Sequence, residues 1–211
     1  MAGDITKQLT TEVRTLLDES TESFFKDTEI YTALTDAQRE YVSIILSQYK
    51  AKSIIDPSIN IPQVLQSLAT SSLSDVLFVG DTYSNGLPSD YLYFIMFYLK
   101  TDSSDTLTPC PIRDYSIKTV AASQNSYLNA RMAWVDSTLI HWTPAAKSGG
   151  QITLDYIKQP PDMTGSVDPL IPSFCYPALV KYALAEMMKK DNLDQEAAQN
   201  YQEFLSKVKY I

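Results

Sequence analysis

The hydrophobic period of this chain changes twice, and that limits its fold more than any other feature. Near the N-terminus Ile5, Leu9, Val13, Leu16 and Leu17 recur at helical spacing. In QITLDYIK (151–158) the period drops to two. Ile152, Leu154 and Tyr156 fall on one face and Thr153 and Asp155 on the other, the mark of a half-buried strand. Helical spacing then returns, first with Val180, Ala183, Leu184 and Met187, then with Ala197, Ala198, Tyr201, Phe204, Leu205 and Val208. Such a sequence predicts an α+β protein: a helical bundle drawn from both ends of the chain, with an antiparallel β-subdomain inserted. The expected divisions are 1–75 for the N-terminal helices, 76–165 for the β-rich subdomain and 166–211 for a helical hairpin completing the bundle. Pro160-Pro161 ends the last strand, because proline cannot donate to a sheet ladder.

Local signals fill in this outline. Asp4 can cap a first helix over 4–19. STESFFKDTE (20–29) interrupts it, with Phe24-Phe25 as a buried anchor. Thr35 and Gln38 have capping-box spacing ahead of Tyr41, Ile44, Ile45, Gln48 and Tyr49, so a second helix is expected from there to about Lys52. Pro62 can open a short third helix containing Val64, Leu65 and Leu68. TSSLSD (70–75) reads as a loop and GDTYSNGLPSD (80–90) as turns. YLYFIMFYL (91–99) reads as a strand covered on both faces, with a buried helix as its competitor. SIKTV, ARMAWVD and STLIHWTP continue the β-region, and Gly149-Gly150 suggests a hairpin joining 140–142 to 152–156. Pro177 can begin the next helix, KKDNLD turns the chain and Asp194 can cap the last helix. No internal repeat or low-complexity linker is visible.

Catalytic constellations are hard to assemble from these residues. The one histidine, His141, lies between Ile140 and Trp142 on an expected strand, so neither a His-based metal site nor a serine triad is supported. The carboxylates are scattered and read as solvated charge. The six glycines form no nucleotide-binding pattern. Cys110 and Cys175 are expected as free thiols of a reducing compartment. The N-terminus lacks the apolar region of a secretory signal, and the run 91–99 is too short to span a bilayer as a helix. A formal net charge of −8 argues against a general nucleic-acid binder. The 14 tyrosines, Tyr83, Tyr91, Tyr93, Tyr98, Tyr127 and Tyr176 among them, suit either core and rim or an interface.

The order of these segments resembles the head-to-tail adaptor (connector) proteins of tailed bacteriophages. The opening ITKQLTTEVRTLLDE…FF…TEIYTALTDAQREYV, the LPSDYLYF step, the ITLDYIKQPPDM exit and the closing YPALVKYALAEMMKKDNLDQEAAQNYQEFLSKV carry the likeness across nearly the whole chain. The long β-region, which purely helical adaptors lack, is closer to the adaptors of short-tailed phages. The resemblance implies a structural virion protein and no enzyme, needing no cofactor. It would sit as a ring, expected at twelve copies, in the neck between head and tail, after assembly in the host cytoplasm. Its partners would be the portal protein above, tail or nozzle proteins below and its own neighbours. Genome DNA would pass without specific binding, and no membrane is involved. Another phage ring or tail-completion protein, or a virion-associated hydrolase, is the alternative.

Two groups of residues become candidates under this resemblance. Several adaptors reach into the portal with their closing segment, which points to Tyr201, Phe204, Lys207, Lys209, Tyr210 and Ile211. The lysines suit a helix C-terminus, and Tyr210-Ile211 leaves an apolar tip with folding back onto the bundle as the alternative. Residues 1–40 carry nine acids (Asp4, Glu12, Asp18, Glu19, Glu22, Asp27, Glu29, Asp36, Glu40) and four bases (Lys7, Arg14, Lys26, Arg39), so 4 − 9 gives a local charge of −5. Asp18, Glu19 and Glu22 are candidate channel acids that would repel phosphate, an outer solvated face being the alternative.

Overall fold

A computed structural model describes residues 3–19, 24–56, 58–74, 82–113 and 131–209. The chain divides into two compact units, Met1–Leu68 with Gln159–Ile211, and Ala69–Lys158. The first is helical: α1 (Asp4–Leu16), α2 (Asp27–Ile55), α3 (Gln63–Gln66), α4 (Tyr176–Lys190) and α5 (Asp194–Lys207). The second is β: β1 (Ala69–Ser74), β2 (Thr82–Gly86), β3 (Tyr91–Lys100), β4 (Thr108–Cys110), β5 (Ile112–Arg113), β6 (Met132–Asp136), β7 (Leu139–Ala146) and β8 (Gln151–Lys158). The α+β architecture is as expected, with a β-unit inserted between helical segments.

In the helical unit α4 is the central element, packing on α1, α2 and α5. Leu179, Val180, Ala183 and Leu184 of α4 are buried, as are Ile30, Leu34, Tyr41 and Ile45 of α2. Burying each large aliphatic side chain contributes about 1.5–3 kcal/mol, and this is why the helical spacing of these positions is so legible. The helix starts differ from expectation. Asp4 is the first helical residue rather than the cap. The cap is distant: Gly3 N–H and Thr6 N–H each donate at 2.9 Å to the Asp168 carboxylate, and Thr6 Oγ1 donates to the Val167 carbonyl at 2.7 Å. Gly3 has φ 84°, and a Cβ there would lie 2.2 Å from the Gly165 oxygen.

The second helix starts at Asp27, eight residues before the expected capping box. Thr35 and Gln38 lie buried in its middle instead. Thr35 Oγ1 accepts from Met163 N–H at 2.8 Å, and Gln38 Oε1 accepts from Leu170 N–H at 3.0 Å. Their polar atoms fasten the 161–170 segment to α2 rather than ending a helix. The Glu29 carboxylate does the capping work at the true start, accepting from Lys26 N–H at 2.9 Å. Of the expected anchor only Phe25 is buried, while Phe24 is exposed. The last helix begins at Asp194, but the capping position is Leu193 and no side chain caps it.

The β-unit has two four-stranded sheets, ordered β1-β8-β3-β4 and β2-β7-β6-β5. All pairings are antiparallel except that of β5 with β6. Residues 70–74 and 82–86 form edge strands, not the expected loop and turn. Ser and Asn-Gly positions accept extended backbone here because β8 and β7 supply the ladder, pairing Ser72 with Leu154 and Asn85 with Ile140. No hairpin joins β7 to β8. They belong to different sheets, and the turn ending in Gly149 (φ 80°) carries the chain across. The strand expected at 91–99 is present, yet it is not covered on both faces. Phe97 and Leu99 are buried and Met96 is exposed. The expected strand SIKTV lies outside the described residues. Phe97, Leu99, Leu154 and Cys110 of one sheet pack with Ala133, Ile140 and Trp142 of the other, and the Phe97 and Trp142 rings are 5.7 Å apart.

Arg131 closes one end of this sandwich. Its Nη2 donates to both Asp105 oxygens at 2.7 and 2.8 Å, and its Nη1 donates to the Leu99 carbonyl at 2.8 Å. The guanidinium, helped by Thr101, holds the Asp105 carboxyl well below the usual carboxylate range.

Two outcomes are expected. Asp168→Ala should lower unfolding stability by about 1–2 kcal/mol, read by urea denaturation, because the start of α1 loses its cap. A depressed carboxyl contributes stability that is present above its unfolded pKa of about 4 and is lost as pH falls. Asp105→Asn should therefore cost on the order of 1 kcal/mol at pH 7, and its gap to the parent should shrink below about pH 4.

Candidate functional site

Among the described residues no His, Cys, Asp or Glu cluster could hold a metal, and no helix is long and apolar enough to cross a membrane. Both cysteines are free and buried; burial pushes the Cys110 thiol up to about 12 and the Cys175 thiol up to about 11. Thiols so far above neutral pH are poor nucleophiles. His141 stacks on Trp134 with centroids 5.5 Å apart, and its Nε2 lies 4.0 Å from Asp136. The charged and aromatic groups on the surface of the helical unit form the candidate site.

Three of the acids near the N-terminus, Glu19, Asp27 and Glu29, are engaged within the bundle. Arg14, buried at the end of α1, donates from Nη1 to Glu19 at 3.1 Å, from Nη2 to Asp27 at 2.7 Å and to the Phe25 carbonyl at 2.8 Å. Glu19 in turn accepts from Phe25 N–H at 3.2 Å, and its side chain is 10% exposed. It folds the α1–α2 connection and projects little charge outward, which corrects its place among the channel acids. Asp18 is exposed in the turn after α1, at φ 55°. Glu22 lies outside the described residues. Glu29 pairs with Lys190, and this contact first, then Lys26 N–H, lowers its carboxyl.

The closing segment is also tied to its own bundle. Phe204 is fully buried, with ring centroids 5.1 Å from Tyr182 and 6.4 Å from Tyr41. It is core, which corrects its assignment as a portal contact; Ala198 and Leu205, expected beside it in the stripe, are exposed. Lys209 N–H donates to the Tyr41 hydroxyl at 3.1 Å, so the chain folds back as far as Lys209. Burial pushes that hydroxyl up to about 12. Tyr201 is half-buried and Lys207 and Lys209 are exposed, whereas Tyr210 and Ile211 lie outside the described residues. Tyr91, Tyr93, Tyr98 and Tyr176 are half-buried, and Tyr83's side chain and Tyr127 are outside the described part.

Two features escaped sequence reasoning. One is an acidic, aromatic groove of about 450 Å³ between α4 and α5, lined by Tyr182, Ala185, Glu186, Lys189, Ala198 and Tyr201 with Asp194 and Ala197. Burial first, then the charges of Glu186, Asp36 and Glu40, push the Tyr182 hydroxyl up to about 12. These carboxylates come from two helices and converge only in the fold. The other is the end of α2, where Ile54 and Ile55 are solvent-exposed. The helix was expected to stop near Lys52, which hid them.

Arg14→Ala should destabilise the helical unit by about 2 kcal/mol in chemical denaturation, since Glu19 and Asp27 lose their partner while partly buried. Arg14→Lys should recover only part of this, because one ammonium cannot reach both carboxylates and the Phe25 carbonyl.

No curated protein matches the chain. A family model described as the SU10 adaptor protein matches residues 6–211, a span that includes nearly all of the helical unit and the whole β-unit. With that extent of match the chain belongs to the SU10 adaptor protein family, structural head-to-tail adaptors of bacteriophages.

Proposed function

We propose that copies of this chain stand side by side in a ring below the portal, join the capsid to the tail and let the genome pass through. The match to the adaptor family over residues 6–211 carries this proposal. A ring of twelve would follow the portal's symmetry, with tail or nozzle proteins beneath it. The role is mechanical, and the chain works through its surfaces rather than through a reaction.

Charge supports a channel that does not grip DNA. The chain carries a formal net charge of −8, and a duplex binder would need clustered cations to displace counterions. Asp18 and Glu22 remain candidates for the channel face. For the portal contact, Lys207, Lys209, Tyr210 and Ile211 remain, with Tyr201 beside them. The buried Phe204 supports this end from within.

Mixing the purified chain with its portal and imaging by negative stain checks the proposal. A closed ring of the chain on one face of the portal is expected. A stable two-fold dimer that ignores the portal, or tight and salt-sensitive binding to duplex DNA, would contradict it.

A further inference from the structure

Ile54 and Ile55 are 83% and 87% exposed, more than any other large apolar residue described. They follow exposed Lys50 and Lys52 at the end of α2. Asp56 comes next, and its carboxylate is turned onto Ser58, accepting from N–H at 3.0 Å and from Oγ at 2.6 Å. The tip is therefore apolar, with Lys50 and Lys52 before it and the ionised Asp56 after it. The groove between α4 and α5 has the opposite character. Ala185 and Ala197 are buried at its floor, the Tyr182 and Tyr201 rings stand 6.0 Å apart along it, and Glu186 and Asp194 outnumber Lys189 at its rim. Asp36 and Glu40 of α2 add to the negative field at Tyr182.

Tip and groove cannot meet within one copy. Asp36 and Glu40, which face the groove's tyrosine, precede Ile54 and Ile55 on the same helix by 14 to 19 residues, roughly 20–30 Å at 1.5 Å per residue. An apolar knob preceded by lysines and an acidic groove at separate places on one molecule suit a heterologous contact, which forms a ring where its rotation closes.

We propose that the Ile54–Ile55 end of α2 in one copy seats in the α4–α5 groove of its neighbour. This rests on the ring proposed above and names the surface through which neighbours touch. Aliphatic side chains fill the space over Ala185 and Ala197 beside the touching rings of Tyr182 and Tyr201. Lys50 and Lys52 face Glu186 and Asp194.

Paired cysteines test the contact in the full chain, since native Cys110 and Cys175 are buried. The Ile55→Cys/Ala198→Cys variant, assembled on portal-bearing heads and mildly oxidised, should give a ladder of covalent oligomers, and neither single variant should. Rings that form without a ladder overturn the contact. So does protection of Ala198→Cys from alkylation by the portal while Ile55→Cys still reacts, for then the portal occupies the groove. A ladder without any ring on the portal keeps the contact and overturns the portal arrangement instead. Absence of both overturns both. As a second measurement, Lys50→Glu/Lys52→Glu should weaken assembly by about tenfold, and adding Glu186→Lys/Asp194→Lys should restore it. Assembly that ignores the first pair of changes counts against the contact.

Discussion

One carboxylate fastens the start of α1 to the segment that follows the inserted β-unit. Asp168, just past the inserted β-unit, accepts hydrogen bonds from the first N–H groups of α1, 162 and 165 residues earlier in the chain. Partial burial works to raise its carboxyl, and the hydrogen bonds from Thr6, Gly3 and Ile5 outweigh that, so it stays ionised more readily than usual. A helix start needs acceptors for its unpaired N–H groups, and here they come from a segment that exists only once the chain has returned. Thr35 and Gln38 complete the stitching by accepting from Met163 and Leu170. An insertion of the length of Ala69–Lys158 can thus sit within a bundle whose own helices stay anchored.

The same stitching decides which charges remain for partners. Acids that look abundant in residues 1–40 are partly committed inside the bundle, Glu19 and Asp27 to Arg14 and Glu29 to Lys190. Around Tyr182 the charges of Glu186, Asp36 and Glu40 add a local negative field. An adaptor works by its surfaces, so the distinction between spent and available charge bears directly on function. The aromatic residues divide similarly. Phe204 joins Tyr41 and Tyr182 in the interior, and Tyr201 is left half-buried at the groove.

The helical periods of 4–17 and 176–208 were legible because hydrophobicity is carried by each side chain, although Leu16, Ala198 and Leu205 on those stripes end exposed. The strand at 151–158 is present but not half-buried as expected, since Thr153 and Ile157 on its other face are buried too. Helix, strand, helix and the proline exit followed from these periods. Starts and stops were less legible. Asp4 and Asp194 have the chemistry of caps, yet the α1 cap is Asp168 and α5 has none from a side chain. Thr35 and Gln38 have capping-box spacing, but their polar groups were needed in the middle of α2 to hold a distant segment.

The amino-acid sequence by itself determined the α+β class, the order of the segments and the family to which the chain belongs, since periodicity and segment order are written along it. Tertiary structure alone decided the sheet partners. Residues 70–74 and 82–86 have weak strand preference and became edge strands because β8 and β7 offered unpaired backbone. It also sent β7 and β8 into different sheets across the Gly149 turn, which no local pattern records. The candidate groove is of the same kind. Its walls come from α4 and α5 and its field partly from α2, so it exists only where packing brings those helices together.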